Sequence, residues 1–279
     1  MSLYAKYLLL VFFIGGCLAT QTKIAPKKVK LAEIDSTNYM ECYIRYKSDL
    51  YEASEELTFF ITIHHVTNGL LNSFTTETTT IDSIVLKNLN SSYDDLGIRF
   101  QIKESVTSAK DYYIEGIVDH YKDFDNRNTL NIVVYHNIDT ENGYMYGAAV
   151  KAPGTVFGIL STRVHLPTLV HEMGHCFGLP HVFEKDDTDG STSRVGDRIC
   201  DTPAYDLMDN RYITNCGWDG TSKYTPEELL ILLKNYQNYS PNDRDCRSEF
   251  TILQSYATRW FIENTPVLID ALKIYPEDE

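Results

Sequence analysis

The sequence is short of positive charge: 25 Lys and Arg stand against 39 Asp and Glu, for a formal net charge of −14 at pH 7. Such a surface repels a phosphate backbone, which excludes nucleic acid as a partner, and no basic cluster suits a lipid headgroup. Long apolar runs are also missing, since past the first residues nothing approaches the roughly 18 continuous apolar residues of a membrane helix. Glycine and proline are sparse, at 15 and 9 in 279 residues, so the chain is not of low complexity. With 43% hydrophobic residues and 20 tyrosines it is not disordered either. No internal repeat is visible. What remains is an acidic globular protein of one large or two small domains, long enough to bury a substantial core.

Residues 1–19 read as an export signal. Lys6 is the only charge before Lys23, residues 7–14 are an unbroken apolar run too short to span a bilayer, and small residues follow at Gly15, Gly16 and Ala19. Two endings fit: an ordinary cut after Ala19, or a bacterial lipobox in which Cys17 becomes the lipidated first residue. The expected location is therefore extracellular, or lipid-anchored at a cell envelope, with membrane contact only through Cys17. Residues 20–54 are mixed and polar, with Lys27, Lys28 and Lys30, and read as a linker or pro-segment. The folded domain is expected over residues 55–279. An oxidising compartment makes disulfides the default for Cys42, Cys176, Cys200, Cys216 and Cys246, and Cys200, Cys216 and Cys246 compete for partners. Five is an odd number, so one thiol stays unpaired within the chain.

From Leu57 onward strands and helices alternate. Residues 57–63, 98–102, 130–135, 146–150 and 157–160 have strand character, whereas residues 80–89, 112–121 and 166–177 carry helical spacing. That order predicts an α/β fold with a twisted, mostly parallel sheet. After His181 the sequence turns loop-rich until a helix expected over residues 249–263.

Residues 171–181 read H-E-x-x-H-x-x-G-x-x-H: His171, Glu172, His175, Gly178, His181. Residues four apart share one helix face, so His171 and His175 can offer two imidazoles to one metal ion. Gly178 permits a sharp departure, Pro180 stops the helix continuing, and His181 can return as a third ligand. Three protein ligands and one open position describe a catalytic zinc rather than a structural one. Glu172, one residue after the first ligand, points beside the metal, where it can act as general base towards a water molecule. The remaining histidines (His64, His65, His120, His136 and His165) read as ordinary core or surface residues.

This eleven-residue pattern resembles that of the metzincin clan of zinc metallopeptidases, and its flanks are similar to those of the pappalysin family. The flanks are Phe183 and Glu184, then residues 196–203 (G-D-R-I-C-D-T-P), then residues 235–239 (N-Y-Q-N-Y), and Cys246 with Phe250 and Thr251. The resemblance covers about residues 57–263. It implies a metzincin-like catalytic domain with an active-site helix and a loop-rich C-terminal subdomain, one catalytic zinc ion, and endopeptidase action on extracellular proteins or peptides. It also implies a phenol near the metal at Tyr239, which would stabilise the oxyanion. Substrate peptides are expected to lie extended along the strand near Tyr146, Gly147, Ala148 and Ala149, adding to the sheet edge.

One position departs from the family pattern. Methionine is the rule in the turn beneath the zinc, and Gln237 stands there instead. The alternative function is therefore a catalytically impaired exported zinc-binding protein. Met208 offers a substitute methionine by composition but falls in the wrong order along the chain. Gly196, Asp197 and Asp201 are expected to shape the loop below the site. The family suggests structural calcium near Asp186, Asp187, Asp189 and Gly190, residues that read equally as a solvated acidic turn. Cys42 reads either as a thiolate latency switch or as a disulfide partner or buried thiol, and Cys176 as facing the core or a disulfide.

Overall fold

The computed structural model describes residues 56–67, 75–109, 114–136, 146–165, 167–183, 196–197, 199, 201–203, 206–214, 216–239 and 246–272. The expectations for the export signal, the pro-segment, Cys17, Cys42, Cys200 and the acidic turn at 186–190 lie outside the described residues.

Five strands form one sheet in the order β2-β1-β3-β5-β4: β1 (Leu57–Thr67), β2 (Ile98–Ala109), β3 (Leu130–Tyr135), β4 (Gly147–Ala149) and β5 (Val156–Leu160). β1 pairs in parallel with β2 and β3, and β3 with β5, while β4 runs antiparallel along β5 and ends the sheet. This is the mostly parallel α/β sheet that the alternation of elements predicts. Side chains along a strand point to opposite faces in turn. Phe59, Ile61 and Ile63 of β1, Ile132 and Val134 of β3, and Phe157 and Ile159 of β5 enter the larger core. Their alternates Val66, Val133, Tyr135 and Val156 meet Ile114, Ile117 and Phe124 in a smaller cluster on the other face.

The larger core takes residues from α1 (Thr75–Tyr93) and α3 (Thr168–Cys176), and also Ile262, Leu268 and Ala271 from two C-terminal helices. α1 buries Ile81, Val85, Leu89 and Tyr93 at helical spacing. It begins five residues before the expected 80 and runs to Tyr93, its first turns being rich in threonine, which carries little helix propensity and no apolar spacing. Tyr93 is fully buried, donates its hydroxyl to Val170 O (3.1 Å) and meets Phe177 edge-on at 5.5 Å, so α1 anchors α3 by one ring. Between β2 and β3 the expected helix 112–121 is reduced to one turn of α-helix, α2 (Ile117–His120), flanked by 3₁₀ turns.

Beyond α3 lie a two-strand hairpin, β6 (Ile213–Thr214) and β7 (Gly217–Trp218), and the helices α4 (Pro226–Lys234), α5 (Ile252–Asn264) and α6 (Pro266–Ala271). α5 is close to the helix expected over 249–263. The hairpin, α4 and α6 are additional. α4 starts with a capping box in which Thr225 and Glu228 bond each other's backbone amides, and Pro226 follows the cap. Among the described residues Cys216 and Cys246 form a disulfide and Cys176 is a buried free thiol. No described helix is long and apolar enough to cross a membrane.

Candidate metal centre

α3 is nine residues long, and its residues from Leu169 to Cys176 are all buried. Leu169, Val170, Met173 and Cys176 belong to the larger core, and each large side chain among them contributes on the order of 1.5–3 kcal/mol by leaving water. The other face of the helix presents His171 and His175, one turn apart.

The helix is stopped by a two-bond motif. Gly178 N–H donates to His175 O (2.8 Å) and Leu179 N–H to Gly174 O (2.9 Å), the bonding pattern of a left-handed C-terminal cap. Gly178 has φ +87°, and a Cβ there would lie 2.5 Å from the Phe261 ring, so both backbone and packing demand glycine. This reversal returns the chain towards α3. His181 comes back with its Nε2 at 3.1 Å from His175 Nε2, which is itself 3.1 Å from His171 Nε2.

Backbone carbonyls orient two of these rings: His171 Nδ1 bonds Tyr236 O and His175 Nδ1 bonds Leu179 O, each at 2.7 Å. A carbonyl can only accept, so both protons sit on Nδ1 and both Nε2 lone pairs point inward. Burial, with His175 adding to it, holds His171 well below the ordinary imidazole pKa, so the ring is neutral as a ligand must be. Converging lone pairs repel one another unless a cation lies between them. His171, His175 and His181 form the three-histidine cluster able to hold a metal ion among the described residues, and neutral imidazole nitrogens suit zinc.

Glu172 is buried beside this cluster, against the edge strand. A Cβ at Gly147 would lie 2.6 Å from its Oε1, so the glycine makes room for the carboxylate. Burial pushes the Glu172 carboxyl up to about 8, opposed by a hydrogen bond from the Ala149 amide and by the charge of Arg247. Tyr146 and Val150 bond back to β5, through Leu160 N–H to Tyr146 O and Val150 N–H to Val156 O. By the alternation of an antiparallel ladder, the amides of Gly147 and Ala149 therefore face away from β5.

Tyr239 is half-exposed at the rim, its ring centre 4.9 Å from that of His181 and 5.7 Å from that of His171. Phe183 stacks on His181 at 4.6 Å with planes 12° apart. Gln237 is fully buried beneath α3 in the position expected of the floor methionine, whereas Met208 is exposed on a 3₁₀ turn. Asp197 accepts from the Ile199 amide, Thr202 and Gln254, and Asp201 from Thr251 and the Leu253 amide at the start of α5. Both shape the loop, as the sequence suggests.

Two contributors have no role assigned from the sequence, although Phe183 lies in the flanking pattern. Arg247 is buried and donates to Asn238 O (2.9 Å), Tyr236 O (3.4 Å) and Thr168 Oγ1 (3.2 Å), tying the 236–238 turn to the start of α3. Phe183 gives one ligand ring an aromatic backing. His65 and His136, read as unrelated, are bonded to each other at 2.8 Å, with His65 Nε2 also 2.8 Å from Asp82.

Residues 159–262 match the family model of peptidase M43, described as pregnancy-associated plasma protein-A. An extracellular metalloprotease of Colletotrichum graminicola is 31% identical over 137 residues, 44% of this chain and 45% of the relative. An extracellular metalloprotease of Pyricularia oryzae is 37% identical over 101 residues, 36% of this chain and 31% of the relative. The matched stretches thus span less than half the length of these curated relatives. Residues 159–262 include the His171–His181 pattern and the flanks at 196–203 and 235–239 that carry the resemblance.

Proposed function

We propose that this chain is a member of the pappalysin family of metallopeptidases, whose model matches residues 159–262, and a zinc-dependent endopeptidase that hydrolyses peptide bonds of extracellular proteins. The observation that carries this reading is the convergence of three imidazoles, two of them tautomer-fixed, next to a buried glutamate and a strand edge. His171, His175 and His181 would hold zinc through Nε2. Zinc so held supplies Lewis-acid chemistry to a water molecule and a peptide carbonyl. Glu172, its carboxylate held by the Ala149 amide, takes the proton of the attacking water and returns it to the leaving amine. The Tyr239 hydroxyl donates to the oxygen on which negative charge develops. An extended substrate pairs with the outward amide of Gly147 and the outward carbonyls of Gly147 and Ala149, which sets the scissile bond near Glu172. Action outside the cell accords with the export signal expected in residues 1–19 and with the names of the two relatives. Residues 55–279 would then be the catalytic domain and residues 20–54 its pro-segment.

The test is cleavage of an unfolded protein substrate by purified protein, with and without a zinc chelator, and with Glu172→Gln. Cleavage abolished by chelation and restored by zinc is expected. Glu172→Gln should retain the metal and lose roughly 10²–10⁴-fold in kcat. Turnover that survives chelation, or persists in the variant, would sink the proposal.

A further inference from the structure

We infer that Gln237 is a positioning residue for the metal centre, holding the backbone of His171 at the expense of the stability of the fold; this rests on the zinc reading above. An apolar floor would need only to fill space. Gln237 does more. Its Nε2 donates to His171 O (3.1 Å), and its own carbonyl accepts from Val182 N–H (3.2 Å), the residue next to His181. The preceding residue, Tyr236, holds the ring of His171 through its carbonyl. Two adjacent residues therefore grip the first ligand at ring and backbone and the third ligand's neighbour as well. The turn itself is braced, because Gln237 N–H donates to Asn235 Oδ1 (2.8 Å) and Asn235 exchanges hydrogen bonds with Gln254. A Cβ at Gly174 would run into Gln237 Nε2, so the carboxamide lies directly under the helix.

The grip has a cost visible at the other end of the same group. Gln237 Oε1 is buried and, among the described residues, has no hydrogen-bond partner. A buried acceptor without a donor is unfavourable, and methionine of similar length would fill the space without one. A group chosen for packing alone would not carry that burden. The two halves of the carboxamide thus act in opposite directions: one fixes a ligand, the other weakens the fold.

Opposite signs make the test. Gln237→Met and Gln237→Leu are to be compared with the parent protein in three measurements: zinc dissociation constant by competition with a chelator, visible spectrum of the cobalt-substituted protein, and melting temperature without metal. Zinc affinity should fall 10–100-fold, the usual effect of losing a partner that orients a ligand. The cobalt bands should shift, and the metal-free melting temperature should hold or rise. Zinc affinity within twofold of the parent with unaltered cobalt bands would overturn the inference. So would a lower metal-free melting temperature or failure of both variants to fold, since the carboxamide would then serve the fold. If the parent itself binds no zinc, or His171→Asn leaves its affinity unchanged, the underlying metal reading is what has failed.

Discussion

Burial outweighs the Ala149 amide and Arg247 and pushes the Glu172 carboxyl up to about 8, whereas a dication between the three imidazoles would pull the other way by favouring the carboxylate. A glutamate balanced between these influences can both accept and return a proton, which the proposed reaction requires twice. Tyr239 differs because it is half-exposed, its ring lying against those of His171 and His181. Tyr239→Phe should therefore lower kcat roughly 100-fold, the scale of one lost oxyanion donor, while zinc content and KM stay near the parent values. Steady-state kinetics with metal analysis decides it, and an unchanged kcat would remove the phenol from the mechanism. The clustering of the three histidines with Glu172 beside them was legible because its geometry is local: i, i+4 spacing on a helix, a glycine at the reversal, and a histidine just past a proline. Arg247 was not, because a buried guanidinium among carbonyls from a turn 9 to 11 residues away leaves no local pattern.

The elements were readable where they are periodic and buried. β3 is fully buried on both faces and matches its expected bounds of 130–135, as a parallel strand rich in Val and Ile should. β2 runs on to Ala109 past the expected 102 through largely exposed residues, because pairing with β1 orders it rather than any apolar alternation of its own. α4 was missed although Thr225, Pro226 and Glu228 spell a helix start, since the long stretch without apolar periodicity around it drew the reading towards loop. At the same scale β1, β3 and α1 are joined by the chain of bonds from His136 through His65 to Asp82. Burial, with His65 adding to it, lowers His136 to about 4. Unfolded chains take up a proton near pH 6.5 that the folded chain refuses. This contribution to stability is therefore full above pH 6.5 and lost as pH falls through about 4. Against His136→Gln, the parent's stability advantage measured by urea unfolding should shrink over that window. Parallel curves for the two proteins would contradict it.

At the scale of the whole molecule, the sheet and the C-terminal region meet both in the larger core, where Ile262, Leu268 and Ala271 join Phe59 and Leu272 bridges it, and through the supports of the histidine cluster. The 235–239 turn touches α3 above it, Gln254 of α5 beside it and Arg247 behind it. Cys246, next to Arg247, is bound to Cys216 across a sequence separation of 30. Closing a loop of that length restricts the unfolded chain by roughly 3–4 kcal/mol. Cys216→Ala with Cys246→Ala should lower unfolding free energy by about that amount, as urea titration of the metal-free protein would register; a change below ~1 kcal/mol would show the bridge to be incidental. The cysteine pairing could not be read beforehand because proximity in three dimensions decided it. Finally, the carbonyl that orients the first imidazole lies 65 residues downstream of it. During synthesis His171 thus leaves the ribosome well before the carbonyl that orients its ring exists, whereas His175 has its own holder, Leu179, four residues on. Metallation consequently belongs to the finished fold and not to the emerging polypeptide, and any truncation upstream of Tyr236 leaves His171 without its holder.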